Sequence, residues 1–400
     1  MGVLRSRSAL DTVFSEAGPA EGLRIGFAYP GDPLAAGTWS GTPAGLIAGL
    51  RELQVDVAPI VADPSRLTRT LAVNALALLR VHRTPGPSVR TRLRVSRTIA
   101  MYNGPELVPL RTRAARRNVN RLGKFDAFIQ LAAAYELPAG PPLATFEDMT
   151  VAQALRLPYL EWSGLTRREA DARLEFQRRL YDRAVACCFT TAWAAESAVA
   201  DYGVSRDKVY VVGVGRNHSL TPKLHRDWTT PRFLFIGGDW QRKNGAGLLR
   251  AFARVRNELP SAQLDLVGNH PAVDAPGVTG HGWLSLANPQ ARNEVEGLFE
   301  SSTCFVLPSL YEPSALAYVE AAAAGLPCIG TTVGGSAELI GEGGLVVDPT
   351  DEDALVNAML DFAQPAVAAE RGRKAAEHAR SFTWPAVAKR ILSTLQLVDG

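Results

Sequence analysis

Long uninterrupted apolar runs are missing from this sequence of 400 residues; none approaches the roughly 20 residues that a membrane-spanning helix needs. The amino-terminal stretch MGVLRSRSALDTVFSEAGPAEG has early arginines, but Asp11 and Glu16 interrupt the apolar core that a secretion signal requires. A cytoplasmic protein is therefore expected. Cysteine is scarce. Cys187, Cys188, Cys304 and Cys328 all fall in apolar, strand-like runs without metal-ligand spacing, which points to reduced, buried thiols and to no metal site. The six histidines form neither a ligand cluster nor a triad. What is abundant argues against disorder: 46% hydrophobic with 21% charged residues is a globular composition, long enough for two or three domains.

Acidic residues are nearly absent from one region. Between residues 66 and 124, thirteen Arg and one Lys face the single acid Glu106, a balance of +13, whereas the rest of the chain carries −10. With LAVNALALLR and VSRTIAMY set among the arginines, this segment suits three roles: a basic amphipathic face on an anionic inner membrane surface, a binding face for an acidic acceptor, or a solvated surface. Nucleic acid is not expected, because neither a motif nor aromatic interleaving accompanies the charge.

Taken in order, strands and helices alternate. Residues 23–29 (LRIGFAY) read as a strand, followed by the Gly- and Pro-rich loop PGDPLAAGTWSGTP, a helix over 44–53 and a strand over 56–61. The arginine-rich segment carries two or three helices broken at 85–87 and at Gly104-Pro105. Further strands are expected at 125–131, 143–146, 185–190 and 208–212, with helices at 167–183 and from Trp193. A second alternation begins after a polar, proline-bearing linker at 213–231, with strands at 232–236, 263–267, 304–307, 327–330 and 345–347. Strands separated by helices imply parallel pairing and right-handed crossovers. The expected class is α/β.

One stretch carries the most chemistry: TCFVLPSLYEPSALAYVEAAAAGLPCIGTTVGGSAELI, residues 303–340. A short buried strand leads through a turn to Glu312 at the mouth of a helix, with Pro313 suited to its first position and good helix formers up to Gly325. A helix starting there presents backbone N–H groups at Ser314, Ala315 and Leu316 and the positive end of its dipole, which is an anion site. A second acid, Glu320, follows eight residues after the first, roughly 12 Å along the axis. Donors for a phosphate are thus flanked by two carboxylates suited to sugar hydroxyls.

The spacing of Glu312 and Glu320, followed by AGLP and then GGSAE, resembles the signature of retaining GT-B glycosyltransferases of the family-4 type, the glycosyl transferases group 1. That resemblance implies two Rossmann-like doubly wound domains facing across a cleft: 1–222 on the acceptor side, 223–382 binding a nucleotide-sugar, and a terminal helix over 383–400 crossing back to the first domain. It implies that Glu312 binds the transferred sugar and Glu320 the ribose. The sequence departs from the family at Ala315, where glycine is usual, which keeps the N–H but narrows the approach for a phosphate.

Two further motifs follow from the same resemblance. In FIGGDWQRKNG, Arg242 and Lys243 stand just before Asn244, an apparent N-cap for a helix from Gly245. Cations beside the positive end of a helix are misplaced unless an anion sits there, and the family uses such a pair to neutralise the donor's phosphates and the charge on the leaving nucleotide. Gly238 occupies a donor-side position where the family often has another basic residue. In the first domain, GTWSGTP resembles the glycine-bearing phosphate loop, with Gly41 and Thr42 as backbone donors, although a turn that needs glycine explains the same residues. Within TFEDMT, Glu147 and Asp148 occupy the place of the family's His-Asp pair, suited to orienting a hydroxyl or taking a proton; an N-cap role competes for Asp148.

The expectation is a metal-independent, retaining hexosyl- or related glycosyltransferase. It would move a sugar from a UDP- or GDP-sugar, as substrate and without a cofactor, to an unidentified acceptor hydroxyl. Two other readings share these residues: a nucleotide-sugar epimerase or hydrolase, and a non-catalytic partner-binding relative. A nicotinamide dehydrogenase is disfavoured, since GVGRNH at 213–218 lacks the third glycine and the following helix.

Overall fold

In the computed structural model, residues 22–397 are described apart from Ala36, Pro85, Leu224, Leu286 and Gln396. The expectations for the amino-terminal 21 residues, for Pro85 as a helix breaker and for the end of the terminal helix lie outside the described residues.

The first alternation runs β1 (Arg24–Tyr29), α1 (Thr42–Glu52), β2 (Asp56–Val61), α2 (Arg66–Arg80), α3 (Val89–Asn103), α4 (Val108–Leu122), β3 (Ala127–Leu131), β4 (Leu143–Glu147), α5 (Val151–Arg156), α6 (Arg167–Arg183), β5 (Ala186–Phe189), α7 (Ala192–Tyr202) and β6 (Val209–Val211). The strands pair in parallel in the order β2-β1-β3-β4-β5-β6. The second runs β7 (Arg232–Gly237), α8 (Gly245–Glu258), β8 (Gln263–Gly268), β9 (Val278–Gly282), α9 (Pro289–Ser301), β10 (Cys304–Val306), α10 (Leu316–Ala323), β11 (Cys328–Thr331), α11 (Ser336–Ile340), β12 (Gly344–Val347), α12 (Glu352–Phe362), α13 (Pro365–His378) and α14 (Trp384–Thr394). Its order is β12-β11-β10-β7-β8-β9, again all parallel. Contacts between residues divide the chain into two units, Met1–Thr38 with Leu46–Gly213 and Val387–Gly400, and Trp39–Gly45 with Val214–Ala386.

Both sheets are doubly wound. In such sheets ligands bind outside the carboxyl ends of the strands, where the strand order reverses. The second sheet reverses between β7 and β10, so the loops after these two strands, 238–244 and 307–315, face each other at that point. The first reverses between β1 and β3. Apart from the edge strand β9, the strands are mostly buried apolar runs: Phe233, Phe235 and Phe305, with Phe252 of α8 and Phe299 of α9, pack one unit, and Phe27, Phe128, Phe146 and Phe189 the other, all almost fully buried. The four cysteines are free and buried. Among the described residues, no helix is long and apolar enough to cross a membrane.

Three elements depart from the sequence reading. Helix α5 was anticipated only as the helix that an N-cap role for Asp148 would open, and strand β9 was not anticipated. The first is a six-residue helix started by a capping box, in which Thr150 accepts from the Gln153 backbone and the Gln153 side chain accepts from Thr150. The second, VTGHG, is a polar edge strand held by its ladder to β8, without an apolar pattern to reveal it. Helix α10 begins at Leu316, so Pro313 is not its first residue. The Glu312 backbone bridges Gly334, with Glu312 N bonded to Val333 O at 2.9 Å, and Ala315 is still extended just ahead of the helix.

The arginine-rich helices are pinned by Glu106 within their own segment and by Asp63 and Glu169 outside it. Ser65 caps α2 and Ser88 caps α3. Arg80 is 3% exposed and lies 2.8 Å from Glu106 and 2.7 Å from Glu169 of α6. Asp63, just past β2, accepts from Arg111 Nε of α4 at 2.8 Å and pairs with Arg69 of α2. The side chains of Asp63 and Arg111 are 7% and 5% exposed; Asp63 is offset by Arg69 and Arg111 together, and it is the acid paired with the buried Arg111. Asp63→Ala is expected to lower unfolding free energy by about 3–5 kcal/mol, the cost of leaving a buried cation unpaired. Urea denaturation followed by circular dichroism measures this; a loss below about 1 kcal/mol would mean that solvent reaches Arg111.

Candidate active site

At the reversal point of the second sheet, three donors converge on one carboxylate oxygen. Lys243 Nζ donates to Glu312 Oε2, Arg242 Nη1 to the same atom at 3.2 Å, and Ser309 Oγ at 3.1 Å. Arg242 also donates to Tyr311 O at 3.1 Å and lies over the Tyr311 ring, 5.7 Å from its centre. Glu312 is 4% exposed and Lys243 8%. Burial by itself would raise the Glu312 carboxyl, but Lys243 and Arg242 hold it below the ordinary carboxylate range, with Ser309 assisting. Burial lowers the Lys243 ammonium, while Glu312 offsets part of that shift. Asp239, 58% exposed and 3.8 Å from Arg242, is the second acid beside this pair, so two cations face one buried and one exposed carboxylate at the mouth of the sheet.

The chain folds this way locally for identifiable reasons. Leu310 N donates to Arg242 O at 2.8 Å, tying the two loops together backbone to backbone. Gly334 has φ +118°, and a Cβ there would lie 2.1 Å from Glu312 O, so the GGSAE run supplies the residue that lets a second loop clamp Glu312. Asn244 is not a side-chain cap. Its backbone is left-handed and its Nδ2 donates to Pro349 O at 3.0 Å, which corrects the reading that it satisfies the α8 N-terminus.

Ser314, Ala315 and Leu316 do lie at the start of α10. No side chain caps that start among the described residues, and Ser314 Oγ is buried without a hydrogen-bond partner there. Such a hydroxyl, beside uncapped amides and next to a cationic pair, fits a phosphate oxygen. Gly238 follows β7, with its carbonyl bonded by Asn269 Nδ2 at 3.0 Å; a Cβ there would stand 3.2 Å from the ring of Trp283. Trp283 is 63% exposed, a large flat apolar surface beside the loop.

Glu320 faces a different set of partners. It is 8% exposed and accepts from Asn217 N at 3.1 Å. Burial raises its carboxyl, and His218 beside it works in the opposite direction. Asn217 Nδ2 donates to Ser40 O at 2.7 Å, and Trp384 Nε1 to Asn217 Oδ1 at 3.0 Å. Asn217 thereby joins Glu320 to the GTWSGTP loop, whose residues Trp39–Gly45 group with this unit. In that loop Trp39, Ser40 and Gly41 are all left-handed, and Thr42, 4% exposed, opens α1. A left-handed tryptophan and serine cost about 1 kcal/mol or more each, a strain concentrated beside the residues that reach Glu320.

Glu147 and Asp148 belong to the first unit. Glu147 is 5% exposed at the end of β4, accepting from the Tyr181 hydroxyl at 2.5 Å and from Gln177 Nε2 at 3.1 Å. Burial pushes its carboxyl up to about 7, against the lowering effect of Tyr181 and Gln177. Asp148 is half-buried and is not a helix cap; Thr150 holds that position. Sequence reasoning missed Ser309 and Asn217. Ser309 could have been found as the polar residue between a buried strand and Glu312; Asn217 left no signal of its role.

With this geometry in place, similarity to known proteins becomes informative. Residues 230–364 match the family model described as glycosyl transferases group 1. The match takes in Arg242, Lys243, Glu312 and Glu320. The chain is 31% identical over 236 residues to a D-inositol 3-phosphate glycosyltransferase of Streptomyces avermitilis, an alignment covering 52% of this chain and 50% of that relative. It is 25% identical over 189 residues to sucrose-phosphate synthase of Spinacia oleracea, covering 41% of this chain and 18% of that protein. The chain thus spans about half the length of the first curated relatives it matches, or less. Among solved structures, sucrose-phosphate synthase from Thermosynechococcus elongatus superposes with a TM-score of 0.64 at 20% identity, covering 92% of this chain and 96% of that one. WaaG, a glycosyltransferase involved in lipopolysaccharide biosynthesis, gives 0.55 at 14% identity, covering 92% and 99%. These likenesses show a GT-B fold built of two Rossmann-like units.

The Glu147 geometry makes a pH prediction. Its folded-state pKa, about 7, lies above the ordinary 4.5. The folded protein therefore holds a proton that the unfolded chain releases, and this stabilisation is complete below pH about 4.5 and lost as pH rises through about 7. Thermal melts across that window should show a decline in Tm that is smaller in Glu147→Gln; identical slopes in both proteins would place the Glu147 carboxyl in the ordinary range.

Proposed function

We propose that the protein is a retaining glycosyltransferase that moves a sugar from a nucleoside diphosphate sugar, a UDP- or GDP-sugar, to an acceptor hydroxyl. The observation that carries this reading is the convergence of Lys243, Arg242 and Ser309 on Glu312, beside the uncapped start of α10. A diphosphate placed there meets two cations, the Ser314 hydroxyl and the helix dipole without needing a metal. The group 1 match over this segment and the names of the relatives support the same reading.

In the proposed reaction, Glu312 hydrogen-bonds the hydroxyls of the transferred sugar. Arg242 and Lys243 stabilise the charge that develops as the bond from the anomeric carbon to the diphosphate breaks. The acceptor oxygen forms its bond to that carbon on the same face, and its proton passes to the departing phosphate oxygen. Glu320 holds the ribose. Its elevated carboxyl fits a site that exchanges the Asn217 contact for a sugar hydroxyl. Trp283 offers a stacking surface beside Gly238 for the base.

A thermal-shift screen with nucleoside diphosphates and nucleotide-sugars, without added metal, tests the donor site. A ligand at about a hundred times its Kd stabilises the fold by about 2.7 kcal/mol. One base should raise Tm selectively, and Glu320→Ala should reduce that shift. No shift with any nucleotide would overturn the donor site and favour a partner-binding role. In a radiolabelled transfer assay with the identified donor, Lys243→Ala is expected to lower kcat by about a hundred- to a thousandfold, as for loss of one transition-state donor. Circular dichroism melts separate that effect from unfolding. Consumption of donor without acceptor would indicate hydrolysis or epimerisation instead.

A further inference from the structure

Helix α2 is amphipathic in the wrong sense for a helix that merely packs on its neighbours. Its inner face is built of Ala72, Val73, Leu76 and Ala77, which form a small cluster with Ala100, Met101, Leu107 and Leu110 or lie buried beside it. Its outer face carries the larger side chains. Leu67, Leu71, Leu78 and Leu79 are 71%, 62%, 61% and 66% exposed, and Ala75 is exposed between them. At 100° per residue Leu67, Leu71 and Leu78 fall within a narrow arc, a ridge about 16 Å long. Single exposed leucines are ordinary, but a row of them along one helix marks a surface that is covered in use.

Beside the ridge lies a groove of about 680 Å³ between α2 and α3, lined by Arg66, Arg69, Arg90, Arg94 and Arg97 and by no acidic residue. Arg90, Arg94 and Arg97 recur at helical spacing on one face of α3. Arg69 is paired with Asp63, whereas no ion pair within 4 Å involves Arg66, Arg90, Arg94 or Arg97 among the described residues. These four belong to the outward part of the +13 segment, whereas the buried Arg80 and Arg111 are matched by Asp63, Glu106 and Glu169.

We propose that the α2 ridge and the arginine groove form a binding site for an anionic phospholipid surface, with the leucines inserted among the acyl chains and the arginines taking headgroup phosphates. The arrangement of the two features selects this occupant. A peptide would need its apolar anchors received in a groove, whereas here the apolar residues stand on a ridge and the groove is cationic. A 15-residue helix is too short to span a bilayer but suits lying in its interface. The positive groove complements the negative potential of anionic lipid. This inference concerns the first unit and is independent of the transfer reaction.

Co-sedimentation of the full chain with vesicles of phosphatidylcholine alone, or mixed equally with phosphatidylglycerol, tests it. Binding is expected to the mixed vesicles and to weaken with salt. Leu71→Gln with Leu78→Gln, and separately Arg90→Gln with Arg94→Gln, should each lower the partition coefficient at least about tenfold. All four side chains are exposed, so circular dichroism melts should not change. A Leu78→Trp variant should show blue-shifted emission on mixed vesicles but not on phosphatidylcholine. The proposal would be overturned by absence of binding to mixed vesicles, by binding that both double variants retain, or by binding without the blue shift. Self-association through the ridge, seen by light scattering in place of vesicle binding, would assign the surface to a second copy of the chain.

Discussion

A carboxylate removed from water must be paired, and Glu312 is paired three times at a single oxygen. Much of the second unit can be understood from that requirement. Lys243 and Arg242 stand in the loop after β7, and Ser309 and Glu312 in the loop after β10. These loops meet because β7 and β10 are adjacent while far apart in sequence, which is what a doubly wound sheet produces at its reversal. The Gly334 loop then clamps the Glu312 backbone from the next strand. Three strand ends, three charged side chains and one glycine define the site's floor.

Buried ion pairs of this kind are weak evidence for stability, since their desolvation cost rivals their attraction. Their value at a site is preorganisation. Cations already held at fixed positions reorganise little when charge develops nearby, and so stabilise it more than mobile side chains would. The same logic separates the arginines of the first unit. Arg80 and Arg111 are buried and matched by acids from elsewhere in the fold, where they fasten helices to the sheet. Arg90, Arg94 and Arg97 face outward beside exposed leucines. Charge counted along the sequence treats these two groups alike.

The alternation of strands and helices was legible because each buried parallel strand is a short apolar run between turn signals. Strand β2 at 56–61 and helix α6 at 167–183 coincide with their sequence limits, the latter set by the Thr166–Glu169 capping box. Elements whose existence depends on partners were not legible. Strand β9 is polar and lives on its ladder to β8, and the α10 start moved because a bridge to Gly334 competes for the Glu312 backbone. Nor did the sequence distinguish Asp148 from Thr150 as a cap, since both residue types suit that position and only the reciprocal Gln153 bond decides.

The chain by itself determined the α/β class, the two successive alternations, the presence of Arg242, Lys243 and Glu312 at strand-to-helix junctions and that of Glu320 in the helix that follows, because periodicity and turn chemistry are local properties. It could not determine that Glu312 would take the two cations while Glu320 turned to Asn217, nor that Glu147 would be drawn into the sheet's interior against Tyr181. Nor could it show that the leucines of α2 would point outward. Those outcomes depend on which side chains meet across long sequence separations and on which face of a helix finds a partner. Only the packed tertiary structure decides these, because burial and charge pairing are properties of neighbours in space.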